Sequence, residues 1–312
     1  MLFKASTPGS MMLLGEYAVL HGKNALVCAV DKRMTISLQP RSDQIININS
    51  ARLGSLTTHI SDLKVVPPFL FVLSALKKFQ KHLKFGCDIT IEAEFCDTIG
   101  LGSSAAVTVG MVAVLSKWLK LSYSDLDLIK ESRKIIRQVQ GLGSGADAAA
   151  CVLGGIVHYK MQPLLATKFS YTPAITVVYS GYKTTTVQAV AEMKNKFQAQ
   201  PALYKKIFNV IDECVLQAVK AIEKQDAETL GKIFNIQQGL MQSLGVSTSL
   251  LTEIVDKLNQ QKNMLGAKIS GSGLGDCIMG LGNISEALSF SSPDARLISA
   301  QITNQGVTCE EV

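Results

Sequence analysis

Ile99-Gly100-Leu101-Gly102-Ser103-Ser104-Ala105-Ala106 joins two stretches of different periodicity. Before it, Cys87 to Phe95 alternates, with Ile89, Ile91, Ala93 and Phe95 on one face, the pattern of a half-buried strand. After it, Ala105 to Leu119 has no proline and few polar groups, and reads as a largely buried helix. A strand that enters a helix through such a turn leaves unpaired N–H groups at the positive end of the helix dipole, which favours phosphate. Glycine lets the backbone approach a bound group and adopt positive φ. A serine hydroxyl at that place can ligate the Mg²⁺ that accompanies a nucleotide. The loop is not a P-loop, because no lysine precedes Ser103, and it fits G-x-G-x-x-G only with Ala105 in the last position. From the loop alone, a capped helix with no ligand remains an equally simple reading.

Outward from the loop, Arg33 to Gln39 and Gln44 to Asn49 alternate and read as a hairpin across Pro40 and Asp43. Pro68 is placed to start a helix, and Ser124 to cap one that runs to Gln140. Strands are expected at Ile156 to Lys160, Ala174 to Tyr179, Gly266 to Ser270 and Cys277 to Leu281. Helices are expected across Thr186 to Gln261 and, briefly, after Asn283. Mixed strands and helices with local hairpins define an α+β fold. A change of composition near Met161 to Pro173 divides the chain into residues 1–165 and 166–312.

The 312 residues are 47% hydrophobic, enough for more than one core. The net charge of +6 suits anionic substrates without requiring them. No basic run with interleaved aromatics points to nucleic acid. The apolar run from Ala105 to Ser116 is too short to cross a bilayer, so no membrane partner is expected. The seven cysteines include no C-x-x-C pair and read as buried thiols of a cytoplasmic protein. The four histidines are too dispersed for a zinc site. A monomer and a homodimer are both compatible with the sequence.

Three separated motifs resemble the GHMP kinases, in the branch of mevalonate and phosphomevalonate kinases. They are Pro8-Gly9-Ser10-Met11-Met12-Leu13-Leu14-Gly15-Glu16-Tyr17-Ala18-Val19-Leu20-His21-Gly22, the Gly100 to Ala106 loop, and Gly266-Ala267-Lys268-Ile269-Ser270-Gly271-Ser272-Gly273-Leu274-Gly275-Asp276-Cys277. Their order and spacing match over nearly the whole chain. A fourth stretch, Gly143-Ser144-Gly145-Ala146-Asp147, is similar to the segment that carries the family's catalytic aspartate. An aspartate at a helix start also serves as a cap.

The resemblance implies a two-domain GHMP kinase fold, with an N-terminal nucleotide-binding domain, a ferredoxin-like C-terminal domain and a site between them. It implies ATP and Mg²⁺ as cofactors and a small-molecule alcohol as acceptor. The expected reaction is phosphorylation of mevalonate to 5-phosphomevalonate in isoprenoid biosynthesis. A phosphomevalonate kinase and a non-catalytic nucleotide binder are the alternatives. Asp147 takes the catalytic role by resemblance. Gly100, Leu101, Gly102, Ser103, Ser104, Ala105, Gly271, Ser272 and Gly273 take the ATP, Ser104 the metal, and Glu16, Tyr17, His21, Lys183 and Thr184 the acceptor.

The chain departs from the family pattern at three places. Ser10 stands where the first motif usually has lysine, with Lys4, Lys23, Lys183 and Lys268 as candidates to replace its charge. Ile136 stands where a Mg²⁺-binding glutamate is usual, eleven residues before Asp147, with Glu131 as a substitute if the helix register shifts. Cys96-Asp97-Thr98 replaces the proline that usually opens the second motif.

Overall fold

The computed structural model describes residues 1–96 and 99–312. Asp97 and Thr98, part of the third departure, lie outside the described residues. The chain runs β1 (Phe3–Leu14), β2 (Asn24–Pro40), β3 (Ile45–Ser50), β4 (Gly54–His59), α1 (Leu70–Phe79), β5 (Cys87–Ala93), α2 (Ser103–Trp118), α3 (Asp125–Gln140), α4 (Ala146–Leu153), β6 (Ile156–Lys160), β7 (Leu165–Phe169) and β8 (Ile175–Tyr179). There follow α5 (Thr186–Lys196), α6 (Pro201–Glu223), α7 (Ala227–Ser243), α8 (Ser249–Asn259), β9 (Met264–Ser270), β10 (Cys277–Gly282), β11 (Arg296–Ile298) and β12 (Thr308–Glu311).

Two sheets organise these elements. The larger has eight strands, in the order β12-β1-β2-β5-β3-β4, with β6 on β2 and β7 on β6. Strand β2 is its spine, because its length lets one half pair with β5 and the other with β6, while β1 follows it along most of its course. The expected hairpin of Arg33–Gln39 with Gln44–Asn49 does not form. Strand β5 lies between them, antiparallel to β2 and parallel to β3. The turn at Arg41 to Asp43 is instead fixed by the Arg41 guanidinium, which bridges Asp43 and Asp88 at 2.7 and 3.0 Å. Hairpin partner of β3 is β4, which the alternation pattern does not reveal because its residues are mostly exposed.

The smaller sheet is antiparallel, in the order β11-β8-β10-β9. Numbered within that sheet the order is 4-1-3-2, the arrangement of a ferredoxin-like fold, with α5 to α8 inserted between its first two strands. The helix expected after Asn283 is absent, and the segment to Ala295 is loop. Sheet membership does not follow a 165/166 boundary. Strand β7 straddles it, and β12 returns from the C-terminus to pair with β1.

Helix α2 is buried nearly all round, as its uniform apolarity requires. Helix α3 begins as expected at Ser124, through a capping box with Asp127. Among the described residues, no helix is long and apolar enough to cross a membrane.

The two sheets are joined by a buried ion pair. Lys268 of β9 donates from Nζ to Glu16 Oε1 at 2.5 Å, and Gln237 of α7 donates to Oε2 at 2.7 Å. Lys268 is fully buried and Glu16 is 2% exposed. Removing one member of such a pair leaves the other charge uncompensated, at a cost of about 3–5 kcal/mol. Lys268→Met is therefore expected to lower unfolding stability by that order in urea titration. The double variant Glu16→Gln/Lys268→Met is expected to recover part of the loss, and a double variant no better than the single one would count against the pair.

Candidate active site

Strand β1 passes directly beneath the glycine-serine loop. Ser10 N–H donates to Leu101 O at 3.1 Å, and a Cβ on Gly9 would lie 2.9 Å from the same oxygen. Gly102 is required on two counts. Its φ is +66°, and a Cβ there would lie 2.0 Å from Ser10 Oγ. Gly102 starts α2 with no side-chain cap, and among the described residues the first N–H groups of this helix, at Ser103 and Ser104, have no backbone partner and are placed to meet an anion.

Ser10 Oγ also donates to Asp147 Oδ1 at 2.9 Å. Asp147 lies in the first turn of α4, behind the Gly141 to Gly145 turn. Burial pushes its carboxyl above the usual aspartate range, the Ser10 hydrogen bond opposes this, and the Glu16 charge adds to it. One carboxylate oxygen is thus engaged by Ser10.

Asp147 and Ser104 line the same cavity of about 160 Å³. Ala105 joins them from the loop, Glu16 and Tyr17 from the first motif, and Gly271 and Ser272 from the third. The remaining wall is largely apolar, from Met12, Val19, Leu20, Ile136, Leu142 and Val190. Among the described residues no lysine, arginine or histidine lines it. Among the described residues Ser272 Oγ is buried without a hydrogen-bond partner, and it belongs to this wall, as expected of a group that meets a ligand.

The structure separates the other expected residues. Gly100, Leu101, Gly102 and Ser103 form the loop outside the cavity wall, and Gly273 packs against Val246. Glu16 and Tyr17 reach the cavity, but their polar ends are occupied. Glu16 is held by Lys268 and Gln237, and the Tyr17 hydroxyl donates to Ser272 O. His21 is not on the wall: it stacks on Phe208 of α6 with ring centroids 4.6 Å apart. Thr184 is also off the wall, its hydroxyl donating to Leu274 O at 2.5 Å and so holding the third motif. Lys183 lies off it too, where its charge acts on Asp276. Thr186, at the start of α5, is on the wall.

None of the four candidate lysines takes the place of the motif lysine at the cavity. Lys268 is bound to Glu16, Lys23 pairs with Asp212 at 3.7 Å, and Lys4 is on the exposed side of β1. Glu131 is engaged with Lys78 and Lys134 at 3.0 and 2.5 Å, away from the cavity, so it does not substitute for a metal ligand at Ile136.

Asp276 belongs to the third motif, where the resemblance gives it no role. It is 8% exposed, has φ +64°, and lies against Gly100, with Oδ1 lacking a hydrogen-bond partner among the described residues. Burial pushes its carboxyl up to about 6, against the pull of Lys183.

The chain carries the family models "GHMP kinases N terminal domain" over residues 71–155 and "GHMP kinases C terminal" over residues 218–306. The chain belongs to the GHMP kinases, a family of small-molecule kinases. Within that family it is similar to mevalonate kinases. It is 29% identical to the Pyrococcus horikoshii enzyme, over 89% of this chain and 88% of that one. It is 26% identical to that of Saccharolobus solfataricus, over 98% of each. The crystal structure of the Methanococcus jannaschii mevalonate kinase superposes with a TM-score of 0.78 at 24% identity, over 97% of this chain and 98% of that one.

The Asp276 carboxyl gives a pH test. Its folded pKa of about 6 lies above the ordinary aspartate value, so the folded state binds more protons and stability falls as pH rises from about 4 to 6. Asp276→Asn, a residue that tolerates positive φ, is expected to be more stable than the parent at pH 7 by up to about 3 kcal/mol. The gain should shrink toward zero at pH 4, and an equal effect at both pH values would refute the assignment.

Proposed function

We propose that this chain transfers the γ-phosphoryl group of ATP to the primary hydroxyl of mevalonate, giving 5-phosphomevalonate. The observation that carries the reading is the position of Asp147 on the same cavity wall as Ser104, at the uncapped start of α2. The α2 N–H groups and the Gly100 to Ala105 loop receive the nucleotide phosphates. Gly271 and Ser272 close over them from the other sheet. The acceptor lies against Met12, Val19, Leu20, Ile136, Leu142 and Val190, a wall suited to a short branched carbon skeleton and poorly suited to a second phosphate.

Asp147 accepts the proton of the acceptor hydroxyl. Ser10 holds Oδ1, so the proton would pass to Oδ2. Phosphoryl transfer needs positioning and charge neutralisation more than covalent help from the protein. The donors on the wall fit Mg²⁺ brought in on the nucleotide, which keeps most of its ligands as phosphate oxygens and water. Ser104 would hold it, with Asp147 as the nearby carboxylate; among the described residues no cluster of three metal-ligating side chains exists. Bound there, Mg²⁺ supplies neutralisation of the phosphate charge.

ADP release with mevalonate, ATP and Mg²⁺ is the direct test. Turnover of 5-phosphomevalonate with none of mevalonate would overturn the acceptor assignment, and no turnover of either would favour a nucleotide-binding protein without activity. Asp147→Asn is expected to lower kcat by about 10²–10⁴ with little change in ATP affinity.

A further inference from the structure

Strand β8 and helix α5 are joined by residues 180–185, and this segment is bound to the third motif at three points. Ser180 N–H donates to Asp276 O, and Asp276 N–H donates to Tyr182 O, both at 2.9 Å. These two bonds extend the antiparallel pairing of β8 with β10. Beyond them, the Thr184 hydroxyl donates to Leu274 O at 2.5 Å, outside either strand. Leu274 needs such support. Its φ is +57°, a region that costs a residue with a side chain backbone energy. Its N–H donates to Val246 O at 2.8 Å, so the residue is held from both sides, by Val246 and by Thr184.

The two ends of the Thr184 bond reach the cavity by different routes. Leu274 is two residues from Ser272, whose buried Oγ has no hydrogen-bond partner among the described residues and belongs to the cavity wall. Thr184 is followed by Thr185, which starts α5 through a capping box with Gln188. The next residue, Thr186, and Val190 one turn further on belong to the same wall. Helix α5 has little else to fix it, since of its 11 residues only Ala189, Val190 and Met193 are buried. An element with so few buried side chains opens locally at small cost, and its first turn then goes where its N-terminal tether goes.

We propose that Thr184 is a positioning residue that couples nucleotide binding to acceptor binding. Phosphates that order Gly271 and Ser272 fix Leu274 O, the Thr184 hydroxyl follows that oxygen, and the first turn of α5 is set against the acceptor. Thr184 thus serves the acceptor without touching it. The inference rests on the proposed contact of Gly271 and Ser272 with the nucleotide. Such coupling is reciprocal, so the acceptor tightens the nucleotide by the same factor. A threonine that only held the fold together would act equally with and without nucleotide.

The test is backbone hydrogen exchange in α5 of the full chain, with and without a non-hydrolysable ATP analogue. The analogue is expected to slow exchange in α5 of the parent about tenfold, within the usual range for coupled sites. The slowing should be lost in Thr184→Val and in Thr184→Ala, which remove the hydroxyl with and without the side-chain bulk, and should return in Thr184→Ser. Thermal melts check the fold of each variant, and failure of both hydroxyl-free variants to fold would make the bond structural and overturn the proposal. The analogue should also tighten mevalonate about tenfold in the parent and in Thr184→Ser, but not in Thr184→Val. Exchange that the analogue leaves unslowed in the parent, slowing that survives in Thr184→Val, or mevalonate binding indifferent to the analogue would each overturn the coupling. Slowing that follows the hydroxyl while mevalonate never binds would support the Thr184 link and overturn mevalonate as the acceptor.

Discussion

The ion pair between Glu16 and Lys268 fixes how the two sheets meet, and the cavity exists because of where they meet. A buried pair of this kind adds little net stability, since the attraction is offset by desolvation of both charges. Its effect is on geometry. Burial pulls the Lys268 ammonium below its ordinary range and Glu16 holds it up, so the contact is tolerable only in the paired arrangement. Around it, Ser270 donates to Met12 O and Gln238 accepts from Ile269 N–H, at 2.9 and 3.0 Å. These bonds tie β9 to β1 and to α7, and they bring Gly271 and Ser272 to the cavity that Ser104 and Ala105 also line.

The charge balance at Asp147, the proposed catalytic residue, follows from the same seam. The one fully buried lysine is committed to Glu16, and Ser10 offers Asp147 a hydrogen bond instead of a positive charge. Opposite it, Ile136 supplies an apolar wall. In the proposed reaction, the positive charge that offsets the transferred phosphoryl group then comes from the helix N-terminus and from the metal the nucleotide carries.

Much of this was legible from local sequence. Strand, glycine loop and buried helix were read directly from Cys87 to Leu119, because period and composition change at the loop itself. Ser124 and Asp127 announced the start of α3. Non-local pairings were not legible. Placing β5 between β2 and β3 depends on contacts far apart in sequence, whereas the turn residues Pro40 and Asp43 look the same in a hairpin and in a crossover. Exposed β4 has too few apolar residues to show alternation. At the site, the motif spacing singled out Ser10, Glu16 and Ile136; Glu16 and Ile136 lie on the cavity wall and Ser10 bonds Asp147. It could not tell that His21 turns away to the aromatic cluster on α6, nor that the Thr184 hydroxyl is committed to a backbone oxygen. Asp276 was visible in the third motif but its shifted carboxyl was not, because a single acidic residue in a glycine run carries no such signal until its burial is known.

The cysteines, which looked inert in sequence, have a structural task. The Cys277 thiol donates to Ile99 O at 2.9 Å, at the entry of the glycine-serine loop, and the Cys151 thiol donates to Pro8 O at 3.1 Å, within the first motif. Burial drives both well above the ordinary thiol range, so their protons stay in place and the nucleophilic thiolate is scarcely populated. The burial that protects these sulfurs from oxidants thus makes them dependable donors. Both segments of backbone that frame the proposed phosphate site are held in part by sulfur, and a soft metal such as mercury that reached either thiol would remove the donor and loosen the segment above it.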